Sequence, residues 1–309
     1  MYDLLSEIWE SLRRNKFRTA MTGFAVAWGI FILVVLLGIS NGLENGMMAN
    51  YGSSLHNSVD IWTMWTSVPY KGLPKFRRLY FTEREAQAVK SLPEVERFSR
   101  IVNTYSGNLN IVFGDQSASI NVMGVEEDYY RIFKKDIQSG RFLNSLDDRE
   151  KVIVLDSRAV ESLATTPDRI LGQFVRIGNI NFRVIGICYN GDRWRGATVY
   201  IPFSTHQVIF STDHRFDKMC VTMRSGTRNI EHLIKRTLAP LMQFDETDPE
   251  AVGVWSQEEA IEEQNKVMDA IRLFILLLGL CTLMSGAVGV SNIMLVSVRE
   301  RTKELGIRK

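Results

Sequence analysis

Cysteine is scarce: three residues, Cys188, Cys220 and Cys281, in a chain of 309. That excludes a disulfide-built scaffold, and no two of them stand in C-x-x-C spacing. Seven prolines and 22 glycines are too few for a collagen-like or low-complexity chain. A net charge of +2 lacks the basic excess of a nucleic-acid binder. The dipeptide Gly-Lys never occurs, so no Walker-type phosphate loop is present. H-E-x-x-H is missing too. The four histidines, His56, His206, His214 and His232, have no metal-ligand spacing. The sequence thus predicts no metal site, no nucleotide site and no catalytic residue; the chain is expected not to be an enzyme.

Charge is missing altogether from two long runs. One is Thr19–Leu43, 25 residues; the other is Leu273–Val298, 26 residues. Crossing a hydrocarbon core of ~30 Å takes roughly 20 apolar residues. Both runs read as transmembrane helices, spans 1 and 2. The first exceeds the roughly 7–15 residues of a signal-peptide core and no A-x-A site follows it, so it reads as an uncleaved anchor. Neither span carries an ionisable side chain except Cys281, which argues against an ion-driven carrier.

Basic residues set the expected orientation. Arg13, Arg14, Lys16 and Arg18 precede span 1, whereas residues 44–70 contain no Lys or Arg. Glu258, Glu259, Glu262, Glu263 and Asp269 precede span 2, and Arg299, Arg301, Lys303, Arg308 and Lys309 follow it. Both ends are therefore predicted cytoplasmic, in a multi-pass membrane protein with residues 44–272 outside the cytoplasm. Within residues 1–18, Leu4, Leu5, Ile8, Trp9 and Leu12 fall on one helical face, which predicts an interfacial amphipathic helix.

Residues 44–272 form the predicted extracytoplasmic domain. Asn108–Phe113 and Gln116–Met123 flank Gly114-Asp115, and Phe174–Ile177 and Ile180–Cys188 flank Gly178-Asn179. Both read as hairpins, because glycine accepts positive φ in a two-residue link. Glu83–Leu92, Ser157–Leu163 and Ile230–Leu238 read as helices; Lys151–Leu155 and Thr198–Ile201 read as short buried strands. Cys188 and Cys220 lie in strand-like stretches of a compartment that allows a disulfide, and two buried thiols are the alternative. The fold class expected is α+β: transmembrane α-helices with a large extracytoplasmic α+β domain inserted between span 1 and span 2.

Ser256 with Glu259 forms a capping box. A single helix is expected from about Gln257 to Val298 or beyond, roughly 63 Å long at 1.5 Å per residue. Its excess over the bilayer would project outward as a stalk. Gly38, Gly42 and Gly46 in span 1, and Ser285 and Gly289 in span 2, have the small-residue spacing of close helix packing.

The last segment alternates in charge. SNIMLVSVRERTKELGIRK resembles the second-span exit and coupling segment of MacB/FtsX-type ABC transporter permeases. GRFLNSLDDREKVIVLDSRAVESL, DRILGQFVRIGNINFRVIGIC and VYIPFSTHQVIF resemble that family's extracytoplasmic core, and WESLRRNKFRTAMTGFAVAWGI resembles its first-span entry. Matching pieces run in family order from Trp9 to Lys309. The resemblance implies a Porter-like part at about 50–145 and 216–255 and a Sabre-like part at about 146–215. It implies that Arg299, Glu300, Arg301, Thr302, Lys303, Glu304, Leu305 and Gly306 contact an ATPase. That ATPase would carry ATP and Mg, with no cofactor in this chain, and only 18 residues precede span 1, so it is expected as a separate polypeptide. A second permease protomer, in a homo- or heterodimer, and a periplasmic adaptor protein are further implied partners. The family continues into two more spans where this chain stops, so a fragment or a natural truncation is expected. The implied function is export or extraction of a substrate by motion passed outward from the ATPase. Regulation of cell-wall hydrolases, as in FtsX-like relatives, or lipoprotein release stands as the alternative.

Overall fold

The computed structural model describes residues 16–51, 55–104, 109–189, 196–210, 214–227 and 229–307. In chain order the elements are α1 (Lys16–Tyr51), β1 (Ser58–Thr63), α2 (Glu83–Lys90), β2 (Val95–Asn103), β3 (Leu109–Phe113), β4 (Gln116–Val125), α3 (Tyr129–Ile132), β5 (Ile137–Gly140), β6 (Val152–Asp156) and α4 (Ser157–Ser162). They continue with α5 (Pro167–Ile170), β7 (Phe174–Ile177), β8 (Ile180–Cys188), β9 (Thr198–Pro202), α6 (Phe203–Phe210), β10 (Lys218–Met223), α7 (Ile230–Met242), β11 (Val252–Ser256) and α8 (Gln257–Ile307). The chain divides into two compact units, residues 49–261 and residues 1–48 with 262–309. The expected interfacial helix at 1–18 lies outside the described residues, apart from the start of α1.

The larger unit has two lobes. In the first, the strands lie in the order β11-β1-β10-β2 with every neighbouring pair antiparallel. Read along the chain this is strand–helix–strand, strand–helix–strand, the split βαβ arrangement in which each helix crosses back over one sheet face. Helices α2 and α7 supply that layer. Val59, Ile61, Phe81, Val89, Ile234, Leu238 and Phe244 meet between helices and sheet with almost no exposure. Each such side chain contributes about 1.5–3 kcal/mol by leaving water.

The second lobe is inserted between β2 and β10. Its strands close on themselves: β4 pairs with β3, β3 with β7, β7 with β8, β8 with β6, β6 with β9, and β9 returns to β4 in parallel. Closure removes the open edges of these six strands. Ile111, Val122, Ile153, Leu155, Phe182, Val184, Val199 and Ile201 fill the interior. This closed ring draws β3 and β4 together with strands of residues 146–215. A third cluster, with Tyr129, Phe142 and Tyr200 in ring contact, carries Cys188 and Cys220.

Both predicted hairpins form. Phe113 faces Gln116 across Gly114 at φ 59°, and Ile177 faces Ile180 across Gly178 at φ 58°. Helix α2 starts on a reciprocal cap: Glu85 accepts from the Thr82 amide at 2.8 Å and from the Thr82 hydroxyl. Buried Asp156 caps α4 by accepting from the Ala159 amide at 2.6 Å, and its other oxygen accepts from the Thr198 amide of β9 at 2.8 Å. Helix α7 runs to Met242, past the predicted end at Leu238, despite Pro240. Leu238, Ala239 and Met242 are buried there, and that packing outweighs the backbone bond proline removes. Cys188 and Cys220 are both free and buried, so the disulfide is not formed. Cys188 lies opposite Ile137 and Asp156, and Cys220 opposite Asp60 and Ser99, so the two are not cross-strand neighbours.

The smaller unit is a pair of long helices. Helix α8 is 51 residues without a break, about 76 Å at the standard rise. Its start matches the expected cap, with the Glu259 amide donating to Ser256 Oγ at 3.4 Å. Gln257–Gly289 is long enough to cross a membrane and contains an 18-residue stretch with mean hydropathy 2.1. In α1 the apolar stretch is shorter, Val26–Gly42. Large side chains stand exposed along both helices, Phe24 at 63%, Leu276 at 62% and Val288 at 69% among them, an apolar surface that water would disfavour.

Candidate functional site

Residues 299–306, the predicted ATPase contacts, continue α8 as regular helix at its far end from β11. Their side chains lie outside the described residues. One helix thus joins the domain's last strand to the charged segment with no loop between.

The two long helices approach each other through glycine, but not at the predicted positions. A Cβ added at Gly29 would collide with Thr282, one at Gly279 with Leu33, and one at Gly286 with Val26. Only a missing side chain permits such approach. The Thr282 hydroxyl donates to the Leu278 carbonyl at 2.8 Å, which fixes the methyl that faces Gly29. Gly38, Gly42 and Gly46 instead border open space. Ser285 is exposed and Gly289 half-buried, beside the fully engaged Gly286. Gly279 and Gly286 stand seven apart, a heptad interval that sequence could have revealed. At ~100° per residue, Phe24, Trp28 and Phe31 fall on the opposite face of α1 from Val26, Gly29 and Leu33. They stack on one another at 5.9 and 5.5 Å between centroids. Gly38-Ile39-Ser40-Asn41-Gly42 has the G-x-S-x-G spacing of a hydrolase elbow, yet it lies inside α1, without the strand-to-helix turn that chemistry needs.

In the larger unit a cleft of about 410 Å³ is lined by residues of both lobes, among them Arg100, Glu126, Leu143, Asp148 and Phe203. Arg100 organises it. Its guanidinium lies 4.3 Å over the Phe203 ring, donates to Glu126 from Nε at 3.0 Å and Nη2 at 2.6 Å, and reaches Glu83. Four elements, α2, β2, α6 and the end of β4, are thereby joined. Next in sequence to the cleft-lining Asp148, Asp147 pairs with Arg141 Nη1 and Nη2 at 2.5 and 2.7 Å. That guanidinium, together with the Asn144 amide, holds the Asp147 carboxyl below its ordinary range. His206, on α6, is 2% exposed and gives or takes one hydrogen bond with Thr104 Oγ1 at 2.7 Å. Burial lowers its pKa to about 4, so it is neutral at ordinary pH and serves packing. A second cleft, about 520 Å³, lies at the start of α7 and is lined by Arg224, His232, Arg236 and Glu94. No group of His, Cys, Asp or Glu that could hold a metal ion occurs among the described residues.

The sequence matches the family profile of the MacB-like periplasmic core domain over residues 19–232. Curated relatives include the macrolide export ATP-binding/permease proteins MacB of Salmonella paratyphi A and Escherichia coli K12. Each is 25% identical over 316 aligned residues, which cover 99% of this chain and 47% of the relative. The chain thus spans about half the length of these relatives. Among solved structures, the periplasmic region of MacB from Actinobacillus actinomycetemcomitans aligns with a TM-score of 0.55 at 18% identity, over 70% of this chain and 96% of that one. The extracellular domain of the noncanonic ABC-type transporter YknZ from Gram-positive bacteria aligns at 0.50 and 20% identity, over 64% and 100%. Those two likenesses place the fold, a mixed α+β domain of the MacB periplasmic type. With well over half of its length inside the matched profile, the chain belongs to the MacB-like periplasmic core domain family.

Proposed function

We propose that this protein is a permease subunit of an ABC transporter of the MacB type. Helices α1 and α8 cross a bacterial inner membrane, both ends of the chain face the cytoplasm, and the two-lobed domain stands outside. A separate ATPase, carrying ATP and Mg, docks on Arg299–Gly306. Closure of that ATPase moves the end of α8, and the helix passes the movement to β11 and the first lobe. The work done outside expels or extracts a substrate without requiring a path through the spans. A second permease protomer and a periplasmic adaptor complete the assembly.

The observation that carries this reading is the unbroken helix α8. A stiff element linking the charged segment to the outer sheet is what transmission of motion requires. Family membership and the MacB relatives weigh toward transport over hydrolase regulation. Charge reversal at Glu304 tests it: the full-length protein is purified from membranes as wild type and as Glu304→Lys. An ABC ATPase is expected to copurify with the wild type and to be lost from the variant. Absence of an ATPase from both, in otherwise intact complexes, would overturn the reading.

A further inference from the structure

Charges of opposite sign line one cleft of the first lobe and do not meet. The cleft, about 520 Å³, opens where β10 ends, β2 begins and α7 starts. Arg224 stands just past β10, Glu94 just before β2, and Arg236 on α7 one turn beyond His232. The backbone sets these positions. The Arg224 amide donates to the Glu94 carbonyl at 2.7 Å, so both residues hang from one bond between strand ends. Beside it the register of β2 against β10 shifts. Thr222 faces Arg97 and Met223 faces Val95, which leaves Glu96 as the extra residue of a bulge. Bulges bend a strand and re-aim side chains, and they are over-represented next to active sites. The chain then turns at Arg224–Thr227. The Thr227 amide and hydroxyl both donate to the Arg224 carbonyl, at 3.2 and 2.6 Å, and Gly226 supplies a φ of 85° at the third position.

The charges held by this frame lack partners. Among the described residues, no carboxylate comes within ion-pairing reach of the Arg224 or Arg236 guanidinium, and both side chains are exposed. His232 differs, since its Nε2 lies 3.0 Å from Glu246 Oε1. Glu94 is half-buried, and its Oε2 is buried and accepts no hydrogen bond. A buried acceptor without a donor is costly and rare in native proteins. An ion pair across the cleft would relieve it, yet neither guanidinium reaches that carboxylate. A molecule that bridges the gap has to bring both signs. Guanidinium groups present their donors in a fixed planar fork that matches carboxylate and phosphate oxygens. The carboxylate opposite them matches an ammonium group.

We propose that this cleft binds a small zwitterion, with its oxyanion on Arg224 and Arg236 and its ammonium on Glu94. Phosphoethanolamine, a phospholipid head group, and a free amino acid share that chemistry. The inference goes beyond the transport reading and does not depend on it, because it rests on the first lobe alone.

The test is calorimetric titration of the full chain in maltoside detergent with phosphoethanolamine, with L-alanine and with inorganic phosphate. At least one zwitterion is expected to bind saturably and at least about tenfold more tightly than phosphate. Tighter binding of phosphoethanolamine identifies a head group as the source, and tighter binding of alanine an amino acid. Arg224→Gln and Arg236→Gln should each weaken that binding at least about tenfold. Glu94→Gln should remove the preference over phosphate. Both arginines are exposed, so glutamine at either position is expected to leave the fold intact. Should Glu94→Gln fail to fold, the wild-type preference and the arginine variants still decide. Absence of saturable binding by either zwitterion would overturn the proposal. So would equal affinity for zwitterion and phosphate in the wild type, or affinity within about twofold of wild type in the arginine variants. Copurification of an ATPase is expected to be unchanged by Arg236→Gln, so failure here and failure of the transport reading are told apart.

Discussion

The crossing of α1 and α8 makes a prediction whose sign changes with background. Gly29→Ala places a Cβ against the Thr282 methyl. That methyl cannot rotate away without breaking the 2.8 Å bond from its hydroxyl to the Leu278 carbonyl. Overpacking of this kind costs about 1–3 kcal/mol. Replacing glycine by alanine in a helix gains about 0.8–1 kcal/mol in propensity. The net expectation is destabilisation of up to about 2 kcal/mol. Thr282→Ala removes the obstacle, and in that background Gly29→Ala should stabilise by about 0.8–1 kcal/mol. Gly42→Ala is an internal control, since Gly42 borders open space and should only gain propensity. The assay is unfolding of the four proteins of the cycle in detergent, followed by circular dichroism. Equal effects of Gly29→Ala in both backgrounds, within about 0.5 kcal/mol, would refute the packing argument.

Other expectations are simpler. Burial pushes the Asp248 carboxyl up, but hydrogen bonds from Ser67, Val68 and Glu250 outweigh it and leave the pKa below its ordinary value. Its stabilisation is therefore complete above the unfolded value of ~3.9 and is lost as pH falls through the lower folded value. Thermal unfolding from pH 6 to 2 should show this loss in the wild type and a shallower slope in Asp248→Asn. Arg100→Ala should cost about 1–3 kcal/mol, because it strips charged hydrogen bonds from Glu126 and uncovers Phe203; chemical denaturation measures it, and a change below about 0.5 kcal/mol would contradict its joining role. Burial raises the Cys188 thiol to about 12 and pushes Cys220 upward too. Maleimide at pH 8 should therefore leave both unlabelled in the folded protein and label both in denaturant, and labelling of either in the native state would contradict the packing.

What could be read from sequence was local. The turns at Gly114-Asp115 and Gly178-Asn179 depend on neighbouring residues alone, and the start of α8 depends on Ser256 and Glu259. The long α8 was legible because charge is missing over a helix-length run. Closure of the second lobe was not legible. It depends on β4 pairing in parallel with β9, Asn121 opposite Thr198, and no pattern inside either strand announces that partner. Glycine spacing shows in sequence that helices can approach, but not which glycine meets a partner. Contact is made by Gly29, Gly279 and Gly286, because the partner's bulk at Thr282, Leu33 and Val26 decides which gap is filled.

The central claim is that α8 carries motion from the cytoplasmic ATPase to the outer domain. A spin-label distance between Arg176 and Glu231 positions, one in each lobe, can be followed in the full reconstituted complex with and without ATP. Three glycines are then inserted after Ile261, where α8 leaves the larger unit. The account predicts that ATP shifts the distance in the wild type, and that the insertion abolishes the shift while ATP hydrolysis persists. A shift that survives the insertion would show that α8 is not the transmitting element.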